Sequence, residues 1–191
     1  MTVRHVATIG HPVLREWAVP VDPASLDDPA TQAFIDDLIE TMRYCNGAGL
    51  AAPQVFDSRR IVAIEVSSNP RYPYKPDIPL TVLVNPEIEP LSDETFDNNE
   101  GCLSVPNLRG VTQRFVEIAV KALDRHGGPW EKEVRGLSAV TFQHEVDHLN
   151  GKLFLDRVMD PTTLTTWEQY ERFGKQEFTS RAAALVARFG S

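Results

Sequence analysis

Cysteine is scarce in this chain: 191 residues carry two, Cys45 and Cys102. A disulfide-stapled scaffold is excluded, and each thiol needs its own explanation. Long apolar runs are missing as well, and no stretch approaches the ~18–20 residues needed to span a bilayer. The first twenty residues, MTVRHVATIGHPVLREWAVP, lack the apolar core of a secretory leader. A cytoplasmic protein with no membrane partner is expected. Positive charge is in deficit, because 27 Asp and Glu against 19 Lys and Arg give a net charge of −8. That balance excludes a phosphate backbone as the main ligand, so no direct nucleic-acid function is expected. Internal repeats and low-complexity tracts are also absent.

What is present is ordinary globular material, 42% hydrophobic and 24% charged, sufficient for a core. The length fits a single catalytic domain over 1–191, since domains typically run ~100–200 residues. Phe34, Ile35, Leu38, Ile39 and Met42 repeat with a helical period. Asp27 or Asp28 before Pro29 can cap that helix, and Asn46-Gly47 can stop it. Cys45, at its end, reads as a small buried hydrophobe. Strands are predicted over 60–66 (RIVAIEV), 80–85 (LTVLVN), 116–123 (VEIAVKAL) and 130–134, the last two joined by the turn DRHGGP. Four prolines make 67–79 a loop. A second helix is predicted over 137–149, and helical pattern returns over about 161–188 with a break at Gly174. Strands in the middle with helices set apart define an α+β fold.

The chemistry concentrates in QHEVDHL, residues 143–149. Residues four apart share one helix face, so His144 and His148 can present two imidazoles to one metal ion. Glu145 is turned aside by one position and can reach a water without ligating the metal. A catalytic metal commonly takes a third protein ligand. Two sources are open from the residues alone. Glu168 or Glu171 would complete a zinc endopeptidase; Cys102 would supply a soft thiolate.

Three segments read together are more specific. GAGLAAPQ (47–54), EGCLS (100–104) and QHEVDHLNG (143–151) resemble, in order, the three signature motifs of peptide deformylases. GHPVLR near the N-terminus, Val105-Pro106 and Arg109-Gly110 after the cysteine, and GKLF after the histidines extend the likeness to about 150 residues. The resemblance implies a deformylase-like fold, with antiparallel or mixed strands around a central HExxH helix and a C-terminal helix. It implies removal of the formyl group from the N-terminal formylmethionine of nascent peptides. The implied ligands are Cys102, His144 and His148, holding Fe²⁺, with Zn²⁺, Ni²⁺ or Co²⁺ as substitutes. Ligand softness alone points to zinc; iron comes from the resemblance.

The same resemblance makes Glu145 the general base, and gives the developing oxyanion two donors, the Gln54 amide and the Leu103 backbone N–H. Gly49 and Leu50 are implied to meet the substrate backbone, and Arg109 to sit at the substrate mouth. Leu137, Val140 and Thr141 precede His144 on one helix stripe and are expected to line a methionine pocket. Glu100 paired with Arg114 is implied to support the cysteine segment. A transient ribosome contact through the C-terminal helix is also implied, although Arg172, Lys175, Arg181 and Arg188 are interspersed with acids.

Overall fold

The computed structural model describes residues 2–67 and 74–190. Positions 68–73 of the proline-rich stretch 67–79 therefore lie outside the described residues. The first long element is α1, Pro29–Tyr44, which buries Phe34, Ile35, Leu38, Ile39 and Met42. Asp28 occupies the cap position, but its side chain makes no capping hydrogen bond. Pro29 at the first turn takes over the start, since its fixed φ suits a helix and it lacks only an N–H that has no partner there. The helix ends where Asn46 turns left-handed (φ 52°) and Gly47 N–H closes on Met42 O at 2.9 Å.

Five strands form the larger sheet. They are β1 (Gly49–Ala51), β2 (Ile61–Val66), β3 (Ile78–Pro90), β6 (Glu117–Leu123) and β7 (Pro129–Arg135), antiparallel and adjacent in that order. Its apolar side chains, among them Ile64, Leu83, Ile118 and Val120, are almost fully buried. β3 runs well past the expected 80–85, and its ladder shifts register between Val84 and Glu87. A smaller sheet holds, in order, β4 (Thr95–Cys102), β5 (Val105–Phe115) and the short β8 (Thr165–Thr166). Neither β4 nor β5 was expected as a strand. Their inward positions are polar, so the apolar alternation that marks a strand is missing.

Helix α2, Gly136–Leu149, buries every residue except His144. It packs against the five-stranded sheet, β5 of the smaller sheet and α4. Phe142 and Phe154 are both core residues. After α2 the chain passes through β8 to a single turn α3 (Trp167–Gln169), a π turn (Tyr170–Gly174) and α4 (Lys175–Phe189). Gly174 is thus no break; the backbone stays helical through it. A π turn carries an extra residue and so rotates the helix beyond it. Tyr170 stays buried while Phe173 is thrown 70% exposed, off the apolar face its spacing suggests. α4 seats Phe178 and Ala182 against Leu137, Val140 and Phe96.

Candidate metal centre

The site is assembled by the β4–β5 hairpin and α2. In a strand, alternate residues share a face. On β4 the buried residues are Phe96, Asn98, Glu100 and Cys102, all on one side. Opposite them, Thr112 and Arg114 of β5 are buried on the same face, through the pairing Asn98↔Thr112 and Phe96↔Arg114. The register breaks between Gly101 and Cys102, where the hairpin turns back at Val105. That irregularity re-aims Cys102 toward α2, a common use of bulges beside functional sites.

Cys102 Sγ lies 3.3 Å from His148 Nε2. One ligand atom each from Cys102, His144 and His148 falls within a mutual 4.8 Å. Ligands at ~2.1 and ~2.3 Å from one tetrahedral ion lie about 3.6 Å apart, so the spacing suits a shared metal. His144 donates Nδ1–H to Glu100 Oε2 at 2.7 Å. A carboxylate only accepts, which fixes the tautomer and leaves His144 Nε2 as a donor to a metal. Burial opposes a thiolate at Cys102, yet the imidazoles of His148 and His144 outweigh it and hold the thiol well below its usual range. Ser104 N–H (3.3 Å) and Gln54 Nε2 (3.6 Å) both donate to the sulfur. A deprotonated soft donor beside two imidazoles fits a divalent transition metal.

Behind the ligands runs an ionic chain, buried except at its Arg157 end. Arg114 grips Glu100 with Nε at 2.7 Å and Nη2 at 2.9 Å, and reaches Asp147 Oδ2 with Nη1 at 2.6 Å. Arg157 closes the chain on Asp147 Oδ1 at 2.6 Å. Thr112 Oγ1 donates to Glu100 as well. Two carboxylates and two guanidiniums balance, so none of these charges is left uncompensated. Burial alone would raise Glu100, but Arg114 and His144 hold it well below the carboxylate range.

Glu145 is buried in the same cavity, and its Oε2 has no hydrogen-bond partner among the described residues. Burial raises its pKa; the nearby histidines pull the other way without reversing it. Gly49 makes room for it. A Cβ added at Gly49 would stand 2.5 Å from Glu145 Cδ, so only glycine allows this approach. β1 is the edge of its sheet, and Gly47, Ala48 and Gly49 line the cavity. Gln54 is anchored by Ala51 N–H to its Oε1 (2.9 Å) and by its own Nε2 to Ser104 Oγ (3.0 Å), with Leu103 beside it.

Other expected residues lie elsewhere. Leu50 is fully buried against α1 and β2, and Leu137 packs in the core below α4. Neither side chain lines the cavity, whereas Val140 and Thr141 do. Arg109 is 1% exposed rather than at an open mouth. Its guanidinium sits over Trp167 (4.3 Å) and Tyr170 (4.5 Å) and donates to Asn99 Oδ1 at 2.6 Å. Cys45 is only half-buried. Ser104, Asn98, Thr112, Asp147, Arg157 and Lys75 were not assigned roles from the sequence. Thr112 and Arg114 stand two apart, the strand period, and that spacing was the available signal. Lys75 carried none, since it sits in the proline-rich stretch.

A thiolate and two imidazoles converging on one point, with a buried carboxyl alongside, define a metal-dependent hydrolase site. Glu168 and Glu171 are exposed on the tail and belong to no metal-holding cluster among the described residues. The zinc endopeptidase reading is therefore not supported. A family model described as polypeptide deformylase matches residues 3–163. The chain belongs to that family and is a metal-dependent amide hydrolase of the deformylase type. Peptide deformylase 1 of Bordetella pertussis is 44% identical over 84% of this chain and 90% of that protein. Peptide deformylase 1 of Prochlorococcus marinus is 40% identical over 95% and 94%. Among solved structures, a Met-Ala-Ser-bound class I type b peptide deformylase from Acinetobacter baumannii is 41% identical, with a TM-score of 0.79 over 82% of this chain and 99% of that one. No helix among the described residues is long and apolar enough to cross a membrane.

Proposed function

We propose that this chain removes the formyl group from N-formylmethionyl nascent peptides in the cytoplasm, giving formate and a free amino terminus. The observation that carries the reading is the placement of Cys102, His144 and His148 within 4.8 Å of one another beside buried Glu145. Cys102, His144 and His148 hold the ion. Fe²⁺ is the proposed resident, with Zn²⁺, Ni²⁺ or Co²⁺ able to replace it. When bound, it supplies a Lewis acid and makes water more acidic.

The protein's own residues do the rest. Glu145 accepts a proton from the attacking water at its unpartnered Oε2, and burial keeps its basicity high enough for the task. Oxygen adds to the formyl carbon, and charge builds on the formyl oxygen. The Gln54 amide, on giving up its long 3.6 Å contact to the Cys102 sulfur, and the Leu103 N–H are the donors for that charge. The C–N bond then breaks, and Glu145 returns its proton to the nitrogen, which leaves poorly without one. Water and the formyl amide thus become formate and amine.

Gly49 and Leu50 offer the free edge of β1 to the substrate backbone, a strand-addition contact. Val140 and Thr141 face the first side chain. Glu100 and Arg114 fix the His144 ring. Arg109 supports the region through Asn99 and the tail aromatics. A transient ribosome contact would use α4, where Arg188 pairs with Glu94 and Lys175 with Glu171. The test is formate release from formyl-Met-Ala-Ser by anaerobically prepared, iron-loaded protein. Formate with no internal cleavage of unformylated peptides is expected. Internal cleavage without formate overturns the reading.

A further inference from the structure

A second groove opens beside the catalytic cavity, and no step of the reaction uses it. It measures about 350 Å³ and is lined by Val111 of β5, Thr165 of β8, and Tyr170, Phe173, Phe178 and Arg181 of the tail. A cavity of ~150 Å³ admits one benzene ring, so this space has room for about two side chains. Asn99 of β4 stands in the wall of both the groove and the catalytic cavity. One buried cation ties the two together. Arg109 donates to Asn99 Oδ1 at 2.6 Å and to Asn99 O at 2.8 Å, and its guanidinium lies 4.5 Å from the Tyr170 ring of the groove lining.

The groove owes its apolar rim to the π turn, Tyr170–Gly174. Such turns recur at functional sites, because the extra residue re-aims the side chains around it. Here Tyr170 and Phe178 stay 4% exposed and serve the core, while Phe173 is presented at the groove 70% exposed. Arg172 lies over the Phe173 ring at 4.9 Å, a contact that orients it. Glu177 and Arg181 bring opposite charges to the lining, so neither sign of ligand is favoured and apolar contact decides. Most of the lining comes from beyond residue 163, where the match to the family ends.

We infer that this groove is a subsite for the downstream part of the same formylated peptide, taking apolar side chains at about its fourth and fifth positions. The inference rests on the deformylase reading. An extended peptide advances ~3.3 Å per residue, so those positions lie about 10–13 Å past the first. A nascent chain always carries such residues, so the occupant arrives with the substrate. Continuity with the catalytic cavity at Asn99 is what favours it over an unrelated partner.

The experiment compares kcat/KM for formyl-Met-Ala-Ser-Leu-Phe-amide and formyl-Met-Ala-Ser-Ser-Ser-amide by formate release. The parent chain is expected to favour the apolar extension about tenfold, the scale of a small apolar contact in a pocket, with the gain in KM. Phe173→Ser, a change at an exposed position, should bring the ratio close to one. Leu91→Ser trims an exposed apolar side chain outside the groove and should keep the ratio. Equal values in the parent, a ratio unchanged in Phe173→Ser, or a ratio lost equally in Leu91→Ser overturns the inference alone. A parent dimer that Phe173→Ser splits, seen by sedimentation, assigns the groove to a second copy of the chain and overturns it as well. No formate from any peptide, formyl-Met-Ala-Ser included, overturns the deformylase reading and this inference with it.

Discussion

The two sheets divide the labour. The five-stranded sheet turns Ile64, Leu83, Ile118 and Val120 inward; the β4–β5 hairpin turns Asn98, Glu100, Cys102, Thr112 and Arg114 inward. The first holds the fold by burying hydrocarbon. The second spends its buried face on ions and donors that hold one another and the metal ligands. Removing a partner from the polar face strands a charge, while removing a side chain from the apolar face leaves a hole. These failures differ in kind, and the difference can be measured.

The largest effect is expected from Arg114→Met. It strands Glu100, while Asp147 keeps only Arg157, and should cost about 3–5 kcal/mol. Because Glu100 orients His144, metal affinity in the folded fraction should also fall about 10–100-fold. Urea denaturation and metal titration on the same sample would check both. Leu83→Ala should cost a comparable 2–5 kcal/mol, roughly, by cavity formation. Its folded fraction should bind metal as the parent does. Equal metal affinity in the two variants would erase the proposed division.

Gly49→Ala sharpens the comparison where the sheets meet, since β1 of the apolar sheet touches Glu145 of the site. The added methyl must displace Glu145, and a shift of about 1 Å can cost about 10²-fold in rate. Formate kinetics should fall far more than thermal stability does; an unaltered kcat would place Glu145 outside the proton path.

The smallest effect is expected on the surface. Burial raises Asp57, but Arg59 outweighs it at 2.8 and 2.9 Å and leaves the carboxyl below its usual value. A depressed folded pKa gives stability that is present above the unfolded value, near 4, and is lost as pH falls through the folded one. Asp57→Asn should therefore cost no more than about 1 kcal/mol at pH 7. The gap between variant and parent in urea midpoint should close below about pH 4. A gap that persists there would assign the loss to packing instead of charge.

The same contrast explains what was legible. α1, α2 and β6 announced themselves by apolar period, β2 by its β-branched run, and β7 as the hairpin partner that follows the turn DRHGGP. β4 and β5 did not, because Asn98, Glu100, Thr112 and Arg114 occupy the positions where that pattern would have shown. The metal ligands were legible because two histidines four apart share a helix face by geometry, and a motif supplied the cysteine. Leu137 was placed on the right helix, whereas Leu50 and Arg109 fall on β1 and β5, which were not predicted as strands; in all three, which way the side chain faces depends on neighbours distant in sequence. Arg109 lies under Trp167 and Tyr170 of a tail some sixty residues away. Lys75 was invisible for a similar reason, since its partner Thr141 lies on α2.

The central claim is that Glu145 carries the proton and the polar hairpin with α2 carries the metal. The direct measurement is metal content and formate release of Glu145→Gln beside the parent, both loaded anaerobically with Fe²⁺. One equivalent of metal retained, with formate release reduced about 10²–10⁴-fold, is the predicted result. Loss of the metal in that variant, or activity close to the parent's, would contradict the account.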